Sequence, residues 1–172
     1  MDKNSLVLFA QYNKAVNEKM NELIKTLSPA EWEKDLGGYF KSVRELCSHL
    51  FICDFNWLKR FSKLRDFPVL KEGFFDRELY SFKEVIFQDI AEHLAKRPEL
   101  DDKIIDFTNE LTDADLNSLL KFNDSHGTPY ELNFGGLIMH CFNHGTFHRG
   151  MISLYLELLS RENDFNSLMM VL

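Results

Sequence analysis

Three histidines recur at every fourth position near the end of this chain: His140, His144 and His148. A step of four residues turns an α-helix by about 400°, so neighbours in the series share a face. Their Cβ atoms then lie about 5–6 Å apart, and two imidazoles can hold one divalent ion with bonds of about 2.0–2.1 Å. His140 and His148 would be about 12 Å apart along a straight helix, too far for one ion. Either His140/His144 or His144/His148 can serve, and a third ligand must come from another element. His49 is the best candidate, because Leu46, Leu50 and Cys53 flank it on an inward-facing helical pattern. His93 and His126 fall in more polar stretches. Cys53 and Cys141 are soft donors, but small thiols of this kind are usually packing residues.

Two familiar metal motifs are excluded. His144-Gly145-Thr146-Phe147-His148 has the histidine spacing of the zincins, but Gly145 stands where a general-base glutamate is needed. Di-iron bundles need paired Glu-x-x-His motifs, and the chain contains none. A mononuclear, histidine-dominated site is what the residues leave.

Four long segments with helical periodicity must position these side chains. The first runs from about Ser5 to Leu27, with Leu8, Tyr12, Val16, Met20 and Leu23 on one stripe. Ser28-Pro29-Ala30-Glu31 opens a short helix that Gly37-Gly38 ends. Ser42-Val43-Arg44-Glu45 caps the next, to about Phe61. Ser81-Phe82-Lys83-Glu84 repeats the pattern and predicts a third long helix that weakens or bends near Pro98, with Asp101–Leu111 as a continuation or a separate piece. The turn-rich Asn123–Gly127 stretch, flanked by Leu120 and Phe122 and by Tyr130, Leu132 and Phe134, predicts a β-hairpin. Asn133 would cap a last helix from about Phe134 to Arg161. The expectation is one all-α domain over residues 1–172, a helical bundle with a small inserted hairpin.

Composition narrows the functional classes. The chain has 172 residues, 16 of them Phe, and a formal net charge of −7. Lys and Arg never run longer than two, so nucleic acid is not an expected partner. No stretch approaches the roughly 18 apolar residues of a membrane span, and no secretory signal opens the chain. Cys47, Cys53 and Cys141 lack CxxC spacing and read as reduced thiols of a cytoplasmic protein.

The motifs also resemble a known family. Asn143-His144-Gly145-Thr146-Phe147-His148-Arg149-Gly150 is similar to the N-H-x-x-x-H-R-G signature of the DinB-like, YfiT-related metalloenzymes. Gln11-Tyr12-Asn13 with Asn17 resembles the first-helix pattern of that family. Ser42-Val43-Arg44 leading to His49-Leu50, Asp54 and Trp57-Leu58 resembles its H-x-x-x-x-D-x-x-W-L pattern. The resemblance implies an up-down-down-up four-helix bundle with metal ligands His49, His144 and His148. It also implies nickel or zinc, frequent homodimers, and thiol-dependent transferases or isomerases using low-molecular-weight thiols. Phe147 and Met151 depart from the His and Gln that many members carry there, which removes two polar groups from beside the site.

Three neutral histidines would leave an open position on the ion, suited to thiol transfer or hydrolysis of a small-molecule substrate. Asp54 sits about 140° around the helix from His49 and is expected to pair elsewhere, with Arg149 one candidate. Tyr130 and His126 would border the site through the hairpin, His126 as a solvated turn. Tyr12, Phe40, Phe51 and Trp57 are expected to fill the core, and Gly150 to mark close helix packing. The alternative is a non-catalytic helical stress-response or ligand-binding protein whose metal only stabilises the bundle.

Overall fold

The computed structural model describes residues 2–71 and 73–172. Its four long helices each begin at a side-chain cap. Helix α1 (Lys3–Ile24) starts where Asp2 accepts the Ser5 N–H, and α2 (Pro29–Glu33) starts with the reciprocal Ser28/Glu31 capping box. Ser42 caps α3 (Val43–Phe61), and Asp89 caps α4 (Ile90–Glu110). A second capping box, Thr112/Asp115, opens the short α5 (Asp113–Asn117). Strands β1 (Leu119–Asn123) and β2 (Pro129–Asn133) pair antiparallel, and the Asn133 side chain accepts the Gly136 N–H to start α6 (Phe134–Leu158).

Cross-helix contacts fix the topology. Lys14 reaches Asp102 and Asn21 reaches His93, so α1 and α4 run antiparallel. Asp54 meets Arg97 and Phe61 stacks on Phe107, so α3 and α4 are parallel. His49 faces His148 while Phe61 faces Phe134, so α3 and α6 are antiparallel. The order is therefore up-down-down-up, as the family resemblance implied. Parallel neighbours such as α3 and α4 need a long crossover. Residues 62–89 provide it through 3₁₀ turns at Pro68–Lys71 and Gly73–Phe75. That crossover is tied down by its own apolar residues, with Phe67, Val69, Phe75 and Phe87 all buried. No helix among the described residues is long and apolar enough to cross a membrane.

The fold corrects several expectations. Ser81–Glu84 forms a single hydrogen-bonded turn, and α4 starts only at Ile90. Local capping is overruled there because Phe87 enters the core while its carbonyl accepts from Arg44 Nε at 2.6 Å. Pro98 lies inside α4 without ending it, and the segment to Glu110 continues the same helix. Helices α1 and α6 stop at Ile24 and Leu158, each about a turn short of the expected end. His93, expected in polar surroundings, is 1% exposed. It packs on Trp32 and Phe87 and bonds Asn21 at 2.8 Å, and burial pushes its pKa down to about 3. Around Gly150 nothing lies within 4 Å of a Cβ position, so close packing is not its role. That role belongs to Gly145, where a Cβ would sit 3.1 Å from Arg149 Nη1 and 3.5 Å from Asn13 Oδ1.

Charged residues are also part of the interior. Arg97 is fully buried and donates to Asp54 Oδ2 at 2.7 Å and, through Nε, to Asp101 Oδ1 at 3.1 Å. Asn17 Nδ2 adds a bond to Asp101 Oδ1 at 2.9 Å, so α1, α3 and α4 share one polar node. Asp54 thus pairs with Arg97, and Arg149 instead donates from Nη1 to Asn13 Oδ1 at 2.5 Å.

Candidate metal centre

His49 lies on α3, and His144 and His148 lie one turn apart on α6. The antiparallel packing of these helices brings the three rings together. Ring centroids are 5.2 Å apart for His49/His144, 4.6 Å for His49/His148 and 4.3 Å for His144/His148. His140 stands apart, 6.2 Å from His144 and edge-on to Trp57 at 5.7 Å. Of the two histidine pairs left open by spacing, His144/His148 is therefore the one that faces His49.

Donor-atom distances test whether a metal fits. His49 Nε2 and His144 Nε2 are 3.3 Å apart. A tetrahedral ion with bonds of about 2.0–2.1 Å holds its nitrogens about 3.3–3.4 Å apart. Cys53, one turn after His49, brings its Sγ to 3.5 Å from His49 Nε2. With a metal–sulfur bond of about 2.3 Å, a sulfur–nitrogen pair would span about 3.5–3.6 Å. His49, Cys53 and His144 place one donor atom each within 4.8 Å of one another, so this group could hold a metal ion. Cys53 is thus the residue that sequence reasoning placed low. The signal was its i,i+4 relation to His49, which packing alone explains equally well. His148 contributes a ring against both histidines and a buried Nδ1 without a hydrogen-bond partner among the described residues. His148 lies outside that donor group, and its unpaired buried nitrogen is destabilising unless a cation binds at that nitrogen itself.

The site's electrostatics favour neutral imidazoles. Burial, then the neighbouring His144, lowers the His49 pKa to about 4. Burial, then His144 and His49, lowers that of His148 to about 3, and His144 shifts down for the same first cause. Burial and Asp54 push the Cys53 thiol the other way, up to about 12. Three lone pairs are therefore free for a metal at neutral pH, whereas the thiol must first lose a tightly held proton.

The loop between α2 and α3 closes one wall. Phe40 packs at a tilt on His49 at 4.5 Å and lies edge-on to His148 at 5.5 Å. Its carbonyl accepts the Tyr155 hydroxyl at 2.5 Å, which pins the loop to α6. Gly38 makes that close approach possible, since a Cβ there would sit 2.0 Å from the Tyr155 oxygen. Gly37 takes φ +84°, open to glycine at no steric cost. Beyond Phe40 a cleft of ≈ 260 Å³ opens, with His49, Glu45 and Phe82 among its walls.

The remaining expected residues divide. Asn13 and Asn17 are buried in the bundle, and Tyr12 and Phe51 fill the core. Phe40 instead lines the cleft, and Trp57 is half-buried between Phe61 and Phe122. Tyr130 stacks on Phe122 on the outer hairpin, away from the histidines. His126 sits in the exposed turn, where it borders a second cleft.

An up-down-down-up bundle in which histidines of two facing helices could hold a metal ion defines the class of fold. This chain belongs to the DinB family, whose model matches residues 1–164. It is also similar to Protein DinB of Bacillus subtilis (strain 168), 27% identical over 149 residues that cover 86% of this chain and 81% of the relative.

Proposed function

We propose that this chain is a divalent-metal-dependent enzyme, a thiol-dependent transferase or a hydrolase, with His49, His144 and His148 as ligands. The observation that carries this reading is the 3.3 Å separation of His49 Nε2 and His144 Nε2, with the His148 ring against both. Imidazole donors suit zinc and nickel alike. Bound there, a divalent ion would act as a Lewis acid that lowers the pKa of a thiol or water. The protein's own residues do the rest. Phe40 shields the imidazoles from bulk water, and the adjoining cleft admits a small molecule to the His49 side. Three free cysteines and the −7 net charge support a reducing, cytoplasmic setting without nucleic acid.

The test is conjugation. Metal-loaded protein is incubated with a panel of cellular thiols and a chlorinated aromatic, in which sulfur attacks the ring carbon and chloride leaves. Metal-dependent acceleration with at least one thiol is expected. No acceleration with any thiol, and no hydrolysis of activated esters, would favour a second reading. In that reading Cys53 joins the three histidines and closes a purely structural site, as its 3.5 Å approach to His49 Nε2 allows.

Self-association through α6 belongs to the same proposal. Phe147, Leu154 and Leu158 are 65%, 54% and 57% exposed, and with Met151 they repeat at steps of four, three and four. That is the spacing of a helix-pairing seam. Light scattering after size exclusion should give a dimer mass for the wild type and a monomer mass for Leu154→Glu/Leu158→Glu. A wild-type monomer at all concentrations would contradict this.

A further inference from the structure

Arg60 is only 7% exposed, yet among the described residues nothing accepts a hydrogen bond from its guanidinium and no carboxylate pairs with it. Buried arginines are normally paired, because an uncompensated charge out of water is costly. Arg97 obeys that rule, whereas the unpaired Arg60 guanidinium keeps its contact with water through the cleft beside it. The Arg60 Cζ lies 5.3 Å from the centroid of the Trp57 ring and 5.9 Å from that of Phe82. The guanidinium borders a cleft of ≈ 560 Å³ between the crossover loop and the hairpin turn. Asp124 is the acid in that cleft, but its Oδ1 is occupied by the His126 and Thr128 backbone N–H groups at 2.8 and 2.9 Å.

The cleft is joined to the histidine site. Tyr39, Phe82 and Lys83 wall both this cleft and the one beside His49. Arg60 follows His49 by eleven residues, which is about 16 Å along α3 and about 20° around it, so both face the same side. Between them Asn56 clamps the crossover loop, donating to the Tyr80 carbonyl at 2.9 Å and accepting the Tyr80 N–H at 3.0 Å. That clamp holds Phe82 in place over Arg60.

We propose that Arg60 is an oxyanion subsite: a carboxylate or phosphate of an elongated substrate docks on its guanidinium between Trp57 and Phe82, with the reacting end at His49. A planar fork of donors in an aromatic setting suits such groups. Assigning the anion to the substrate of the metal site rests on the proposed function. The anion's binding does not.

Succinate, inorganic phosphate and neutral succinamide are titrated calorimetrically into the full chain as purified and again after chelation, at constant ionic strength. Saturable one-site binding of succinate or phosphate is expected in both preparations, with none for succinamide. Succinate alone identifies a carboxylate site, and phosphate alone a phosphate site. Arg60→Gln should weaken the binding at least tenfold and Arg60→Lys several-fold. If Arg60→Gln does not fold, Phe82→Ala, on the partly exposed lip, should weaken it in the same direction. No saturable anion binding to the wild type overturns the proposal, as does unchanged affinity in Arg60→Lys and Phe82→Ala. Anion binding that survives chelation in protein without metal-dependent activity keeps this subsite while removing the proposed enzyme.

Discussion

Arg97→Met is expected to destabilise the bundle by about 3–5 kcal/mol, the usual cost of removing one partner from a buried ion pair. Arg97 is fully buried and answers both Asp54 and Asp101, which are themselves 6% and 2% exposed. Without the guanidinium, two carboxylates stay in the core, and among the described residues Asn17 alone donates to one of them. Burial already raises the Asp101 pKa despite Arg97, so the loss would push that carboxyl further toward its protonated form. The triple variant Arg97→Met/Asp54→Leu/Asp101→Leu should recover most of the loss, because apolar groups of similar volume replace such networks at little cost. Urea unfolding midpoints measure both. A single variant within about 0.5 kcal/mol of wild type, the usual range of surface substitutions, would show that the network contributes little.

That network matters to function through geometry. Asp54 lies five residues after His49 on α3, on a different face of the helix. Its bond to Arg97 ties α3 to α4 on one face while His49, on another, meets α6.

His144→Ala should lower divalent-metal affinity by more than about 100-fold, since even outer-shell changes cost about 10–100-fold. The wild type should also resist acid. A lowered imidazole pKa means the neutral, metal-binding form persists to lower pH, so protons compete only as pH falls toward the lowered values. For His49 and His148 those values are about 4 and about 3, against about 6.5 for a free imidazole. Chelator competition should show affinity flat from about pH 8 down to about pH 5 and falling as pH approaches 4. Loss of affinity already across neutral pH would contradict neutral, preorganised ligands.

Local signals in the chain were readable because they act over one turn. The caps at Ser28, Ser42 and Asn133 bond backbone N–H groups within three residues, and all three hold. The hairpin was legible from its alternation and turn residues, and it pairs Leu119 with Asn133 through Asn123 with Pro129. The histidine face of α6 followed from a step of four and His49 from its flanking apolar pattern, whereas the choice of His148 over His140 and the up-down-down-up order came from family resemblance. What stayed hidden depends on partners distant in the chain. Ser81 carries a capping pattern as good as that of Ser42, yet the core captures Phe87 and delays the helix to Ile90. His93 sits among charged neighbours in the chain and becomes buried because Trp32 and Phe87 arrive from elsewhere. Asp54 meets Arg97, 43 residues away, and no spacing rule selects it over Arg149. Phe40 and Cys53 complete the histidine site, but an isolated Phe and a helical Cys carry no local mark of that role.

The most direct test is metal content by elemental analysis of the purified wild type, His49→Ala, His144→Ala, His148→Ala and Cys53→Ser, each checked for folding by thermal melting. A three-histidine site requires about one divalent ion per wild-type chain, loss from each histidine variant and retention in Cys53→Ser. Full occupancy in all three histidine variants would end the metal proposal. Retention in His148→Ala with loss in Cys53→Ser would move the third ligand from α6 to α3.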